Sequence, residues 1–147
     1  MNYLTTHDIV WINTTVSGEM QPFDYFALEA AMAAQYQYGD SRDVAVQAAN
    51  FLGKLLLQPA FAGGNRRTAL ISMLTFLNAN GYATTATDEQ ITAKFTELER
   101  GGITSNDVIA AIAAPAKTPI AGVSLRQLIT HECNHHTEAL KSLTLHD

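Results

Sequence analysis

The stretch Pro59-Ala60-Phe61-Ala62-Gly63-Gly64-Asn65-Arg66-Arg67-Thr68-Ala69-Leu70 holds a glycine pair that leads into a strongly helical run with two arginines in its first turn. The opening N–H groups of a helix lack intrahelical partners, and the helix dipole adds positive potential at that end. Glycines let the backbone approach a ligand closely, and the planar forks of Arg66 and Arg67 suit phosphate oxygens. Gly64, Asn65, Arg66 and Arg67 are therefore the candidate phosphate- or nucleotide-binding residues. A plainer reading of the same residues is a loop and a helix start with both arginines solvated.

Working outward, Asn65 to about Asn80 reads as one helix with Ala69, Leu70, Met73, Leu74 and Leu77 turned inward, closed by Gly81. Upstream, Ser41 opens a helix whose stripe is Val44, Ala48, Phe51, Leu52, Leu55 and Leu56, and Pro59 stops it. The segment Tyr36 to Asp40 breaks the pattern and reads as an exposed loop or short hairpin. An alanine-rich helix from Asp24 to about Tyr36 precedes it. Before that, Thr5 with Asp8 caps a first helix carrying Ile9, Val10 and Ile12.

Downstream, Thr87 with Gln90 and Thr104 with Asp107 form capping boxes. The first of these helices stops at Gly101-Gly102 and the second before Pro115. Residues 115–122 read as a linker, and Ser124 with Gln127 caps a last helix toward Leu143. The pattern predicts an all-α bundle of six or seven helices. It divides into a domain over residues 1–114, a linker over 115–123, and a C-terminal helix within 124–147 that packs on the domain or on a partner.

A chain of 147 residues suffices for one domain with a substantial core, and 47% hydrophobic with 16% charged residues is ordinary for a globular protein. The net charge of −5 argues against a broad basic face for nucleic acid, though it leaves room for a small local basic site. Cys133 is the single cysteine, so no intrachain disulfide forms, and a reducing cytosol is the simplest expectation. The opening residues lack the pattern of a signal peptide, and no apolar run approaches the roughly 18–20 residues of a membrane span. The expectation is a cytoplasmic domain that engages neither nucleic acid nor membrane.

The central stretch resembles the signature of the Fic/Doc family, H-x-F-x-D-[GA]-N-[KG]-R-T-A-L, nearest to the Doc (death-on-curing) branch. The opening Leu4-Thr5-x-x-Asp8-Ile9 is similar to the family's first helix. Leu28-Glu29-Ala30-Ala31-Met32-Ala33-Ala34 resembles the helix before the flap that docks a target. Phe76-Leu77-Asn78-Ala79-Asn80-Gly81-Tyr82 looks like the family's F-L-x-x-N-G-Y. Thr87-Asp88-Glu89-Gln90 and Gly101-Gly102-Ile103-Thr104 are similar to its closing pattern, so the resemblance covers about residues 1–114.

The resemblance implies a Fic/Doc-like helical fold with a nucleotide, such as ATP, held over the helix N-terminus. It implies transfer of AMP, as in Fic relatives, or of a phosphoryl group, as in Doc-type relatives of toxin–antitoxin modules, to a protein hydroxyl. It further implies a protein partner: an antitoxin segment, or a target docking near residues 36–43.

Two positions depart from the signature. The motif histidine, the base that takes the hydroxyl proton, falls on Pro59, and sliding the match by one residue brings only the amide of Gln58. The acidic residue that holds the metal falls on Gly63, and phosphoryl chemistry draws on Mg²⁺ to offset charge. The resemblance so altered implies no catalytic residue at the motif and no Mg²⁺ held in the family manner. Phe61 is expected in the core. The leading expectation is a degenerate Fic/Doc-family protein that binds nucleotide weakly or not at all and acts through protein contacts, in or derived from a toxin–antitoxin system. The alternative is an active transferase with a displaced base, such as His7.

The tail holds a competing constellation. His131-Glu132-Cys133-Asn134-His135 fits H-E-x-x-H, in which two histidines on one helix face hold zinc and the glutamate acts as base. Glu138, His146 and Asp147 follow as further ligands, with His136 and Cys133 beside them. The apolar stripe of Leu125, Leu128, Ile129, Leu140 and Leu143, however, runs through Glu132 and His136 and leaves His131 and His135 near the polar edge. This favours a docking helix with a buried or interfacial Glu132–His136 pair over a zinc-dependent hydrolase. A helix beyond the family's usual end also offers a surface for a homodimer.

Overall fold

The computed structural model describes residues 1–36 and 43–145. Its elements run α1 (Thr6–Ser17), α2 (Tyr25–Ala33), α3 (Val44–Leu57), α4 (Asn65–Ala79), β1 (Tyr82–Thr84), α5 (Asp88–Glu99), α6 (Ser105–Ile112), β2 (Ala113–Pro115), α7 (Leu125–His135) and α8 (Thr137–Thr144). The fold is mostly helical, as the capping signals and periodicity imply. Thr5/Asp8, Thr87/Gln90, Thr104/Asp107 and Ser124/Gln127 all close reciprocal capping boxes. Each satisfies backbone N–H groups that the helix itself leaves open.

Asp24 and Asp43 cap α2 and α3, each accepting two backbone N–H groups. The cap of α3 therefore lies two residues beyond Ser41, which falls outside the described residues. Apart from Tyr36, so does the expected loop or hairpin over Tyr36–Asp40. Beyond Ala33 the backbone of α2 tightens to i→i−3 bonds, from Gln35 N–H to Met32 O at 3.3 Å and from Tyr36 N–H to Ala33 O at 3.0 Å, and the Gln35 side chain is buried. Its amide oxygen accepts from Leu4 N–H at 2.7 Å, and its Nε2 donates to Leu4 O at 2.8 Å. Gln47 of α3 donates to Gln35 O at 2.9 Å, tying the N-terminal segment to both neighbouring helices.

Helix α4 is the axis of the molecule. Every residue from Thr68 to Asn78 is buried, a wider face than the inward stripe expected. α1, α3, α7, α8 and β1 all pack on it, which is the environment of an interior rather than a surface helix. One core, with Phe51, Phe76 and Phe95 among its largest side chains, extends to Ile129, Ala139 and Leu143 of the tail. The tail thus docks on the domain, and Ile129 and Leu143 each contribute roughly 1.5–3 kcal/mol by burial.

The mostly helical class stands, and two features revise the expected count of six or seven helices and the bounds of the linker. Residues 113–115 form an antiparallel ribbon with residues 82–84, pairing Tyr82 with Pro115, Ala83 with Ala114 and Thr84 with Ala113. Ala116 N–H then donates to Gly81 O at 2.8 Å, so Pro115 and Ala116 belong to the fold rather than to the linker. The last helix also breaks at His136 (φ −118°, ψ 39°), which makes eight helices among the described residues. No helix is long and apolar enough to cross a membrane among the described residues.

Candidate functional site

The segment between α3 and α4 is pinned by backbone pairing with the segment before α2. Asp24 N–H donates to Ala60 O at 2.8 Å and Ala62 N–H to Pro22 O at 2.9 Å, an antiparallel bridge that pairs Phe23 with Phe61. Phe61 is buried as expected, its ring centroid 5.7 Å from that of Phe23. Asn65 closes the loop on itself. Its Oδ1 accepts from Phe61 N–H at 3.0 Å and its Nδ2 donates to Phe61 O at 2.7 Å. Its side chain therefore shapes the loop instead of reaching toward a ligand.

Gly64 is buried with φ +76°, the left-handed region that favours glycine. A β-carbon there would collide with Ser17 Oγ and meet Asn13 Nδ2 at 3.0 Å. Asn13 Nδ2 also donates to Gly63 O at 2.9 Å and to Thr68 Oγ1 at 3.0 Å, so the end of α1 holds the start of α4. Gly63 is less constrained. A β-carbon there would meet only the end of the Gln21 side chain, at 3.3 Å.

Both arginines are engaged with the protein, which corrects the reading of them as solvated. Arg66 Nε and Nη2 donate to Glu99 Oε1, at the end of α5, at 3.1 and 2.8 Å. Arg67 Nη1 donates at 2.7 Å to Val16 O, one of the carbonyls left open at the end of α1. Any phosphate at the α4 start must compete with the Glu99 carboxylate for Arg66. Pro59 and Gly63 supply neither an imidazole nor a carboxylate. His7 stands exposed near the start of α1, whereas Ser17, which touches Gly64, is the last residue of α1. At about 1.5 Å per residue the separation along the helix is roughly 15 Å, too far for His7 to serve as the displaced base.

The tail motif sits at the other end of α4. His131 and His135 are exposed and stacked, ring centroids 5.4 Å apart and 14° from parallel. Glu132 is buried on another side of the helix, where its Oε1 accepts from Asn78 Nδ2 and its Oε2 faces His136 Nε2 at 3.1 Å. His136 Nδ1 lies 2.7 Å from Asp88 Oδ1, and Asp88 Oδ2 accepts from Ala139 N–H at 3.0 Å. One carboxylate at the start of α5 thereby serves the start of α8 as well. The expected Glu132–His136 pair is present and buried, with Asn78 and Asp88 as added partners.

Burial disfavours a charged His136 ring, but the contacts with Glu132 and Asp88 outweigh it and raise its pKa above the ordinary 6.5. Burial also pushes the half-buried Cys133 thiol up to about 11, with the Glu132 charge adding to the effect. A protonated thiol is a poor metal ligand. Among the described residues, no three His, Cys, Asp or Glu side chains are grouped to hold a metal ion. His146 and Asp147 lie outside those residues.

Comparison with family models, curated proteins and solved structures returns no match. The start of α4 offers helix N–H groups and guanidinium charge to an anion, but Gln58, Pro59 and Gly63 can neither take a proton from a hydroxyl nor hold a metal. The end of α4 gathers groups that carry protons and uses them on one another. Asn13, Glu99, Asn78 and Asp88 are the partners that local patterns miss. The available signal was polar residues such as Asn13 and Asn78 within otherwise apolar helix faces.

Proposed function

We propose that the chain is a Fic/Doc-type domain that keeps the helix-terminal cradle of that family without its transfer chemistry. It acts through protein contacts, in or derived from a toxin–antitoxin system. The observation that carries this reading is the start of α4 itself. Gly64 takes the left-handed turn, Asn65 pins Phe61, and Arg66 and Arg67 occupy the first helical turn. Pro59 and Gly63 stand where the base and the metal-holding carboxylate would be.

A hydroxyl nucleophile needs a base within about 2.6–3.2 Å of its proton, and the motif supplies none. Phosphate affinity is reduced because Arg66 is already paired with Glu99. The test is incubation with cell lysate and ATP labelled in either the α- or the γ-phosphate. No label should reach protein. Robust transfer that survives Arg66→Ala and Arg67→Ala overturns both the inactivity and the site. The double change Pro59→His with Gly63→Asp restores both motif groups, and a β-carbon at residue 63 meets only the end of Gln21. Transfer regained by that variant supports the family alignment.

A further inference from the structure

The N-terminal part of the chain carries all of its net charge. Residues 1–41 hold five acids (Asp8, Glu19, Asp24, Glu29 and Asp40) and no Lys or Arg, whereas residues 42–147 hold nine acids and nine bases. Within this acidic part the segment from Met20 to Phe26 turns large apolar groups outward. Phe26 is 82% exposed, Met20 70%, Tyr25 57% and Phe23 39%. Single exposed apolar residues are ordinary, but four within seven residues, flanked by the exposed Glu19, Asp24 and Glu29, have the character of a contact surface. The backbone beneath them is already fixed by the Phe23–Phe61 bridge and the Asp24 cap. Binding there orders little additional chain.

We propose that the Met20–Phe26 patch docks a basic protein segment that brings its own apolar side chains. A second copy is the poorer occupant, because a two-fold contact sets Glu19, Asp24 and Glu29 against their own counterparts. Nucleic acid and anionic lipid are repelled by the same charge. The acidic part already receives two guanidinium groups from within the molecule, Arg67 at Val16 O, 2.7 Å away, and Arg126 at its acids. Arg126 of α7 lies 4.3 Å over the Trp11 ring and 3.6 Å from Asp8 Oδ1, pairing a cation with an aromatic ring and an acid together. The inference rests on the part of the proposed function that assigns the chain to protein contacts and is independent of its nucleotide cradle.

Selection of a random peptide library, displayed on phage, against the full chain without nucleotide tests it. The enriched peptides should combine Lys or Arg with aromatic or leucine side chains. Their affinity should fall about tenfold or more in Tyr25→Ser/Phe26→Ser, as for loss of buried interface anchors. It should fall roughly threefold in Glu19→Gln/Glu29→Gln and weaken with added salt. Melting temperatures of both variants should match the parent, because all four side chains are exposed. Enriched peptides of neutral or acidic character overturn the proposal, as does binding that the Tyr25/Phe26 variant leaves intact. A concentration-dependent dimer that this variant dissolves in sedimentation also overturns it, since a second copy would then be the occupant. Failure to bind ATP has no bearing on these outcomes, so the cradle and the patch are judged separately.

Discussion

At the start of α4, glycine and amide groups fix the backbone, and the partners that hold it are Asn13, Ser17 and Phe61. At its last turn, Asn78 joins a buried cluster of Glu132, His136 and Asp88. Thirteen residues separate Asn65 from Asn78, about 20 Å along the helix. The first end has a shape suited to an anion, and its motif positions Pro59 and Gly63 carry no group to transfer a proton. The second has groups that transfer protons, and packing and mutual pairing consume them. Residue type alone would have placed the chemistry at the H-E-x-x-H end, but geometry makes that end a clasp for the tail.

The largest effect should come from breaking the clasp. At pH 6, below the raised pKa of the ring, His136→Leu removes the cation between Glu132 and Asp88 and leaves buried carboxylate charge uncompensated, a loss of about 3–5 kcal/mol. Urea unfolding should show it as a lowered midpoint. A change under about 1 kcal/mol would mean that packing alone holds the tail.

The next effect sharpens the contrast at the other end. Gly64→Ala should cost about 2–4 kcal/mol, because a left-handed residue with a β-carbon carries roughly 1–2 kcal/mol of strain and the Ser17 collision adds an overpacking penalty. Gly63→Ala, facing only the end of Gln21, should stay within about 1 kcal/mol. Equal costs at the two glycines would refute the account of the turn.

A smaller effect is the pH dependence of the clasp. The folded pKa of His136 is raised, so its stabilisation is complete below the ordinary 6.5 and is lost as pH rises through the folded value. The unfolding midpoint should therefore decline as pH rises above 6.5, and the part of the decline below about pH 7.5 precedes titration of the Cys133 thiol in the unfolded chain. His136→Gln should flatten that decline. A slope of opposite sign would mean that His136 is neutral in the fold.

The starts of α1, α5, α6 and α7 were legible because a cap is local: Thr5 and Asp8, or Thr87 and Gln90, lie three residues apart and answer each other directly. The buried Glu132–His136 pair was legible too, since both fall on the stripe set by Leu128, Ile129 and Leu143. The break at His136 was not, because its cause is Asp88, forty-eight residues away. The ribbon at Ala113–Pro115 was too short for a period-two pattern to register beside the stop signal of Pro115. At the candidate site, Gly64 and Asn65 read correctly as a turn entering a helix. The commitment of Arg66 to Glu99 and of Arg67 to Val16 O depends on how α5 and α1 pack, which no local window contains.

The central claim, a cradle without its metal ligand or base, is tested most directly by calorimetric titration of the full chain with ATP and with ADP, each with and without Mg²⁺. The account predicts weak binding, in roughly the millimolar range, that Mg²⁺ leaves nearly unchanged and Arg67→Ala weakens by about 1.5–3 kcal/mol. A strict Mg²⁺ requirement would show that another residue supplies the metal ligand and would contradict the account.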